Sequence, residues 1–242
     1  MNQLLHVSSS PHIKDKVTTS SIMLDVVIAL LPATFFGIYQ FKIKALFIIL
    51  TTIITCVLSE YIYEYFMKKT ITIKDLSAVV TGLILALNLP ATVPLWIPVI
   101  GGIFAIIVVK QLYGGLGQNF MNPALAARCF LLISFAGRMT NFVFDGLTSP
   151  TPLVVLKNGQ SYELLKMFLG TTSGTIGETS TFALLIGAGY LLIKGIIKLT
   201  IPLTYLIIFS IFTLFFSPCS FDFYYLACEL CGGGLIFGAF FM

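Results

Sequence analysis

"TGLILALNLPATVPLWIPVIGG", residues Thr81 to Gly102, is apolar enough for a bilayer and yet cannot be one straight helix. Proline lacks the amide hydrogen a helix interior needs, so "NLPATVP" interrupts the run that begins at Leu76. The part before it, Leu76 to Leu87, has only about twelve residues, against the roughly 17 to 25 needed to cross about 30 Å of hydrocarbon as a helix. A bilayer tolerates open backbone only where it is buried in protein or lines a cavity. The stretch therefore reads as broken helices, and such breaks are where transporters place their sites.

Outward from this segment the chain keeps the same character. Of its 242 residues, 57% are apolar and 10% charged, against about 25% charged in soluble domains. Apolar spans are expected at Met23 to Phe41, Ala45 to Met67, Leu76 to Leu87, Leu95 to Val109, Ala124 to Ala136, Thr181 to Ile193, Leu199 to Phe216 and from Leu226 onward. The third, fifth and sixth are too short to cross unaided, and "GGLGQNFMNP" marks a second interruption. The expected fold is an all-α polytopic membrane protein with about eight transmembrane or half-membrane helices. The runs are continuous and lack the alternation of a β-barrel.

Residues 1–22 are polar, contain no cleavable apolar region and read as a cytoplasmic segment ahead of a membrane domain, residues 23–242. Lys14, Lys16, Lys68, Lys69, Lys74, Lys110, Lys194 and Lys198 fall on one side, with Lys42, Lys44, Arg138, Lys157 and Lys166 on the other. Basic residues favour the cytoplasm, so the N-terminus is placed inside and residues 137–180 outside. The net charge of +4 is ordinary membrane anchoring and gives no sign of nucleic acid. Cys56, Cys129, Cys219, Cys228 and Cys231 do not form a disulfide framework; Cys228 and Cys231 supply two metal ligands where a structural site wants four. No metal is expected.

"TGLILALNLP" at Thr81 to Pro90 echoes "GGLIFGAFFM" at Gly233 to Met242, with Gly-Leu-Ile in register. An internal repeat and a chance tripeptide both account for it.

The segment from residue 137 to 180 is longer than structureless connectors usually run, and long ones are often functional. Within it Asp145, Thr148 and Thr151 form D-x-x-T-x-x-T, with Pro150 and Pro152 holding Thr151 in extended or turn geometry. This resembles the recognition site of flavin transferases, D-x-x-(S/T)-G-A-T, in which FMN is attached through its phosphate to the last Thr; Ser149 and Pro150 stand here in place of the Gly and Ala. A rival acceptor is Thr175 in "SGT", but Leu169, not an acid, stands six residues before it. Without that resemblance both stretches read as hydroxyl-rich surface loop.

Other residues invite a role. Gly114, Gly115 and Gly117 allow close approach of backbone amides, and Asn119 and Asn122 offer amides to the polar edge of a flavin ring; close helix contact explains the same glycines. Arg128, inside a short apolar helix, needs a partner at mid-membrane: a phosphate, a flavin carbonyl or an acid of another subunit, unless it snorkels to the interface. Glu60 and Glu64 share a helix face as candidate ion handles, and Glu64 is expected to pair with Lys68. Asp25 suits a helix N-terminus. Thr175 and Glu178 fit a T-x-x-E capping box, whose free amides would equally suit a phosphate.

The wider chain resembles the RnfD family of the Rnf complex, related to the NqrB component of the sodium-pumping NADH:quinone reductase. The resemblance rests on "SSSPHIKDKVTTSSIMLDVVIALLPA", "TGLILALNLPATVPLWIPVIGG", "YGGLGQNFMNPALAAR" and "GTIGETSTFALLIG". It implies a membrane component of a six-subunit complex that couples electron transfer from reduced ferredoxin to NAD with Na⁺ or H⁺ movement. It also implies covalent FMN on Thr151 at the outer face, a flavin transferase for maturation, and by analogy with the relative a noncovalent riboflavin. Members of the family continue beyond the position of Met242 with further helices. The rival expectation is a flavin-free channel or small-solute transporter whose pore is lined by the broken helices.

Overall fold

The computed structural model describes residues 17–144, 147–148, 150–157, 163–216 and 223–242. Its longest element, α1 (Thr19–Phe66), joins the first two expected spans, which are divided only at Lys42, where the backbone leaves the helix at φ 57 and ψ −144. Thr18 starts it with a capping box: the Ser21 amide donates to the Thr18 hydroxyl oxygen, and the Thr18 amide to that of Ser21. Then come α2 (Ser77–Leu87) and α3 (Trp96–Ile103), which runs on as a π-helical stretch, Phe104–Gln111. After α4 (Pro123–Ser134) the chain makes α5 (Ala136–Met139), a two-residue antiparallel hairpin of β1 (Val143–Phe144) and β2 (Leu147–Thr148), α6 (Pro152–Lys157) and α7 (Leu164–Leu169). The remainder is α8 (Thr181–Ile193), α9 (Thr200–Phe216), and the pair α10 (Phe223–Cys231) and α11 (Gly233–Phe241), bent by 58°. The single span expected from Leu226 is thus a broken one.

Among the described residues α1 is long and apolar enough to cross a membrane, as is the α10–α11 pair taken together. The polarity of the packing marks a membrane protein. Glu60, Glu64, Lys110 and Gln111 lie inside, while Ile54, Leu58, Ile62 and Phe66 of α1 point outward. α9 buries only Pro202 and presents Ile207, Ile211 and Phe215 to its surroundings.

α2 is apolar around its whole circumference and is accordingly the most buried helix, gripped by α1 and touching α4. Small residues set how closely the others approach. A Cβ at Gly187 would strike the Ala29 carbonyl, so α8 lies directly on the α1 backbone. The break after α2 leaves helix-end carbonyls without partners. The segment before α8 supplies them: the Ile176 amide donates to the Leu89 carbonyl at 3.0 Å and the Gly177 amide to that of Leu87 at 2.8 Å. That service buries a loop which would otherwise sit on the surface.

Of the two stretches that echo each other, Thr81 to Pro90 carries the buried latter part of α2, and Gly233 to Met242 forms α11, which buries Ile236, Phe237 and Phe241. The first ends at Asn88, which becomes part of the site.

Candidate functional site

Asn122 caps α4, its side-chain oxygen accepting from the Ala124 amide at 3.0 Å, with Pro123 as the first helical residue. The next turn brings Arg128 inward. Its Nη1 donates to Glu178 Oε1 at 2.8 Å and to the side-chain oxygen of Asn88, the residue that ends α2. Asn88 in turn donates from Nδ2 to the Ile84 carbonyl at 2.8 Å. The partner Arg128 requires is therefore an acid of its own chain, and the pair is close to neutral.

Glu178 does not belong to a capping box. α8 begins at Thr181, and Ser180 caps it by accepting from the Ala183 amide at 3.3 Å. The Ile176 and Gly177 amides are taken by the end of α2, so no helix starts at Thr175, and the anion-binding helix end expected there does not exist. Thr175 itself is 2% exposed and bridges Pro90 through its backbone, away from open space.

A cavity of about 520 Å³ opens beside the Arg128–Glu178 pair. Its wall includes Thr151, Ser173, Thr179 and Glu229, and the glycines Gly232 to Gly234 at the bend between α10 and α11. Its size and mixed lining fit a bound organic group. Thr151 is half-buried at the start of α6, where its carbonyl accepts from the Val154 and Val155 amides. The residue before it is held too: the Ser173 hydroxyl donates to the Pro150 carbonyl at 2.7 Å. Thr151, Arg128 and Glu178, separated in sequence, share one cavity. Asp145 lies outside the described residues, and Thr148 is described only by its backbone, in β2.

A second cavity of about 340 Å³ is lined by Met23, Ser77, Lys110, Leu116, Asn119 and Asn122, among others. Gly114, Gly115 and Gly117 turn the loop that carries the last three, with φ of 119°, 100° and 83°, a region open to glycine at no steric cost. Asn119 donates to the Met121 carbonyl at 2.9 Å. The two cavities lie towards opposite ends of the first half of α1. The second touches Met23, while Gln40 donates to the Thr172 carbonyl at the rim of the first. A helix rises about 25 Å between those two positions.

Behind the second cavity lies a buried polar cluster. Lys110 Nζ donates to Glu60 Oε1 and to the Ser77 hydroxyl, each at 2.6 Å, and Gln111 Nε2 donates to Glu60 at 2.8 Å and to Glu64 at 3.3 Å. Glu64 also accepts from the Thr72 amide at 3.0 Å and from its hydroxyl. The expected pairing of Glu64 with Lys68 is thus replaced by one with Thr72 and Gln111, because Glu64 points into the protein whereas Lys68, at φ 52, already turns the chain away. Consecutive Lys110 and Gln111 both reach α1 from the π-helical stretch, a geometry often found at functional sites. Its signal in the sequence was a lysine ending "FAIIVVK". Asp25 accepts from the Tyr190 hydroxyl at 2.6 Å and lies 3.7 Å from Lys194 Nζ, joining α1 to α8.

Helices broken in mid-path, the buried Lys110–Glu60 ion pair and two cavities towards opposite ends of the first half of α1 mark a polytopic membrane protein, the architecture in which transporters place their sites. Comparison with known proteins is more specific. The chain matches the NQR2, RnfD, RnfE family over residues 6–242. It is 47% identical to the D subunit of the Na(+)-translocating ferredoxin:NAD(+) oxidoreductase complex of Acetobacterium woodii, an alignment covering 100% of this chain and 77% of that one. It is 40% identical to the D subunit of the proton-translocating ferredoxin:NAD(+) oxidoreductase complex of Clostridium ljungdahlii, covering 98% and 77%. With the D subunit of the ion-translocating oxidoreductase complex of Rhodobacter capsulatus the identity is 34%, over 82% and 66%. The chain belongs to the NQR2, RnfD, RnfE family.

Proposed function

We infer that this chain is the RnfD-type membrane component of an ion-translocating ferredoxin:NAD oxidoreductase of several subunits, and that it carries FMN esterified to Thr151. The observation that carries the second part is the position of Thr151 on the wall of the larger cavity, beside Arg128 and Glu178. FMN supplies one- and two-electron transfer when bound; the protein supplies its place and its electrostatics. Thr151 is the tether. Arg128, held by Glu178 and Asn88, sets a guanidinium in the cavity wall that does not move when charge arrives, a preorganised form of stabilisation.

The smaller cavity suits a second, noncovalent flavin, riboflavin, with Asn119 and Asn122 facing its polar edge. In this reading the N-terminus is cytoplasmic, the smaller cavity faces the cytoplasm and Thr151 lies at the outer face of the cell membrane, where a dissociable flavin would be lost. Electrons pass through this chain within the six-subunit complex, and their passage is coupled to Na⁺ or H⁺ movement. A flavin transferase matures the chain.

The test is optical. The denatured chain from the native complex is run on a gel and viewed for flavin fluorescence, with Thr151→Val alongside. Fluorescence in the native band and none in the variant supports the reading; a dark native band from cells containing the transferase overturns the covalent flavin and leaves the family membership standing.

A further inference from the structure

Among the described residues Lys110 is the single charged side chain in the wall of the smaller cavity. It is 2% exposed, so its ammonium has protein groups in place of water. An ammonium carries three N–H donors. One goes to Glu60 Oε1 and one to the Ser77 hydroxyl oxygen, each at 2.6 Å. Ser77 gives its own proton to Asp75 Oδ1 at 2.6 Å, so its oxygen meets Lys110 as an acceptor. No acceptor among the described residues takes the third Lys110 donor. The pair is also oriented. Lys110 and Ser77 stand in the cavity wall, whereas Glu60, 0% exposed on α1, has no part in that wall. The cavity therefore meets the positive end of a pair that is neutral as a whole.

The rest of the wall decides what such an end can hold. Val26, Ile84, Leu116 and Phe241 make it largely apolar, and the polar groups are few. That lining takes a group with apolar faces and polar atoms at its edge. A neutral pair exerts little pull on a phosphate, but a charged N–H with no protein acceptor suits a carbonyl oxygen. We propose that Lys110 binds the ligand of the smaller cavity directly, its third N–H donating to a carbonyl oxygen on the edge of an uncharged heteroaromatic ring. Glu60 and Ser77 are the positioning residues that aim it. The assignment rests on the riboflavin reading above and supplies the cationic donor of that site. It also gives the buried pair a use: Glu60 keeps Lys110 charged inside the protein, and Lys110 carries that charge to the ligand.

The test uses the assembled complex, stripped of noncovalent flavin, and radiolabelled riboflavin in equilibrium dialysis. Lys110→Met alone leaves Glu60 without its counter-charge, so the deciding variant combines Lys110→Met with Glu60→Met and leaves no charge of the pair behind. Folded to the native unfolding midpoint, it is expected to bind riboflavin at least about tenfold more weakly, the scale of one hydrogen bond to a charged group. Lys110→Met with Glu60→Gln, a second background in which neither residue is charged, should show the same loss. Glu60→Gln alone, which keeps the ammonium and an acceptor for it, should bind more tightly than either. Native affinity in either folded double variant overturns the role of Lys110 and leaves riboflavin in the cavity. A native complex that takes up no riboflavin overturns the riboflavin reading, and this contact with it.

Discussion

Arg128 Nη1 and Glu178 Oε1 lie 2.8 Å apart although the residues are fifty positions apart in the chain, and the same guanidinium nitrogen also reaches Asn88. The contact locks α4, the end of α2 and the loop before α8 to one another at the wall of the larger cavity. Arg128→Met removes a donor from both partners. It is expected to cost about 2 kcal/mol, the usual scale for hydrogen bonds to a charged group, read as a lower unfolding midpoint in detergent. In that background Glu178→Gln should cost less than it does alone, since residues in contact are not additive.

The Lys110–Glu60 pair is more deeply placed, with side chains 3% and 0% exposed. Lys110→Met leaves a carboxylate without its counter-charge and should destabilise by about 3–5 kcal/mol. Replacing both residues by methionine should recover most of the loss, because the desolvation of two charges disappears with them. Unfolding midpoints of the two single variants and the double variant decide it. A double variant as unstable as the sum of the singles would show that the network is not the source of the cost.

The seam between α1 and α8 gives a sharper steric contrast. A Cβ at Gly187 collides with the Ala29 carbonyl, whereas one at Gly189, two residues on, meets nothing within 4 Å. Gly187→Ala should therefore lower the yield of monodisperse protein in size-exclusion chromatography while Gly189→Ala leaves it unchanged.

At the smaller cavity Asn122 has a structural duty as the cap of α4, and Asn119 does not cap a helix. Asn122→Ala is expected to lose about 1 kcal/mol through the cap and, on the riboflavin reading proposed above, flavin released on denaturation as well. If the smaller cavity holds the proposed riboflavin, Asn119→Ala should lower the released flavin with little change in the unfolding midpoint. Released flavin is measured by fluorescence of the supernatant after precipitation.

These contrasts also show which parts of the molecule were readable in the chain. "NLPATVP" and "GGLGQNFMNP" announced broken helices because proline and glycine act locally, and α2 ends and α4 begins beside them. The division within α1 was readable as well: the two expected spans stop at Phe41 and resume at Ala45, and the backbone leaves the helix at Lys42, between them. Partnerships were hardest. The spacing of Glu64 and Lys68 suggested a local ion pair, but burial turned Glu64 towards Thr72 and Gln111. Arg128 announced the need for a partner without naming it, because a contact across fifty residues has no periodicity. Thr175 and Glu178 matched a cap in letters, but the Ile176 and Gly177 amides between them bond the end of α2 and the helix starts only at Thr181, capped by Ser180. Thr151 was singled out through the resemblance of Asp145, Thr148 and Thr151 to a flavin-transferase site; the spacing alone reads as a hydroxyl-rich loop.

A peptide mass map of this chain, taken from its native complex, tests the covalent flavin most directly. The fragment containing Pro150, Thr151 and Pro152 is expected to carry the added mass of one FMN less one water, with fragmentation placing it on the threonine oxygen. An unmodified fragment at full occupancy, from cells that make the transferase, would contradict it.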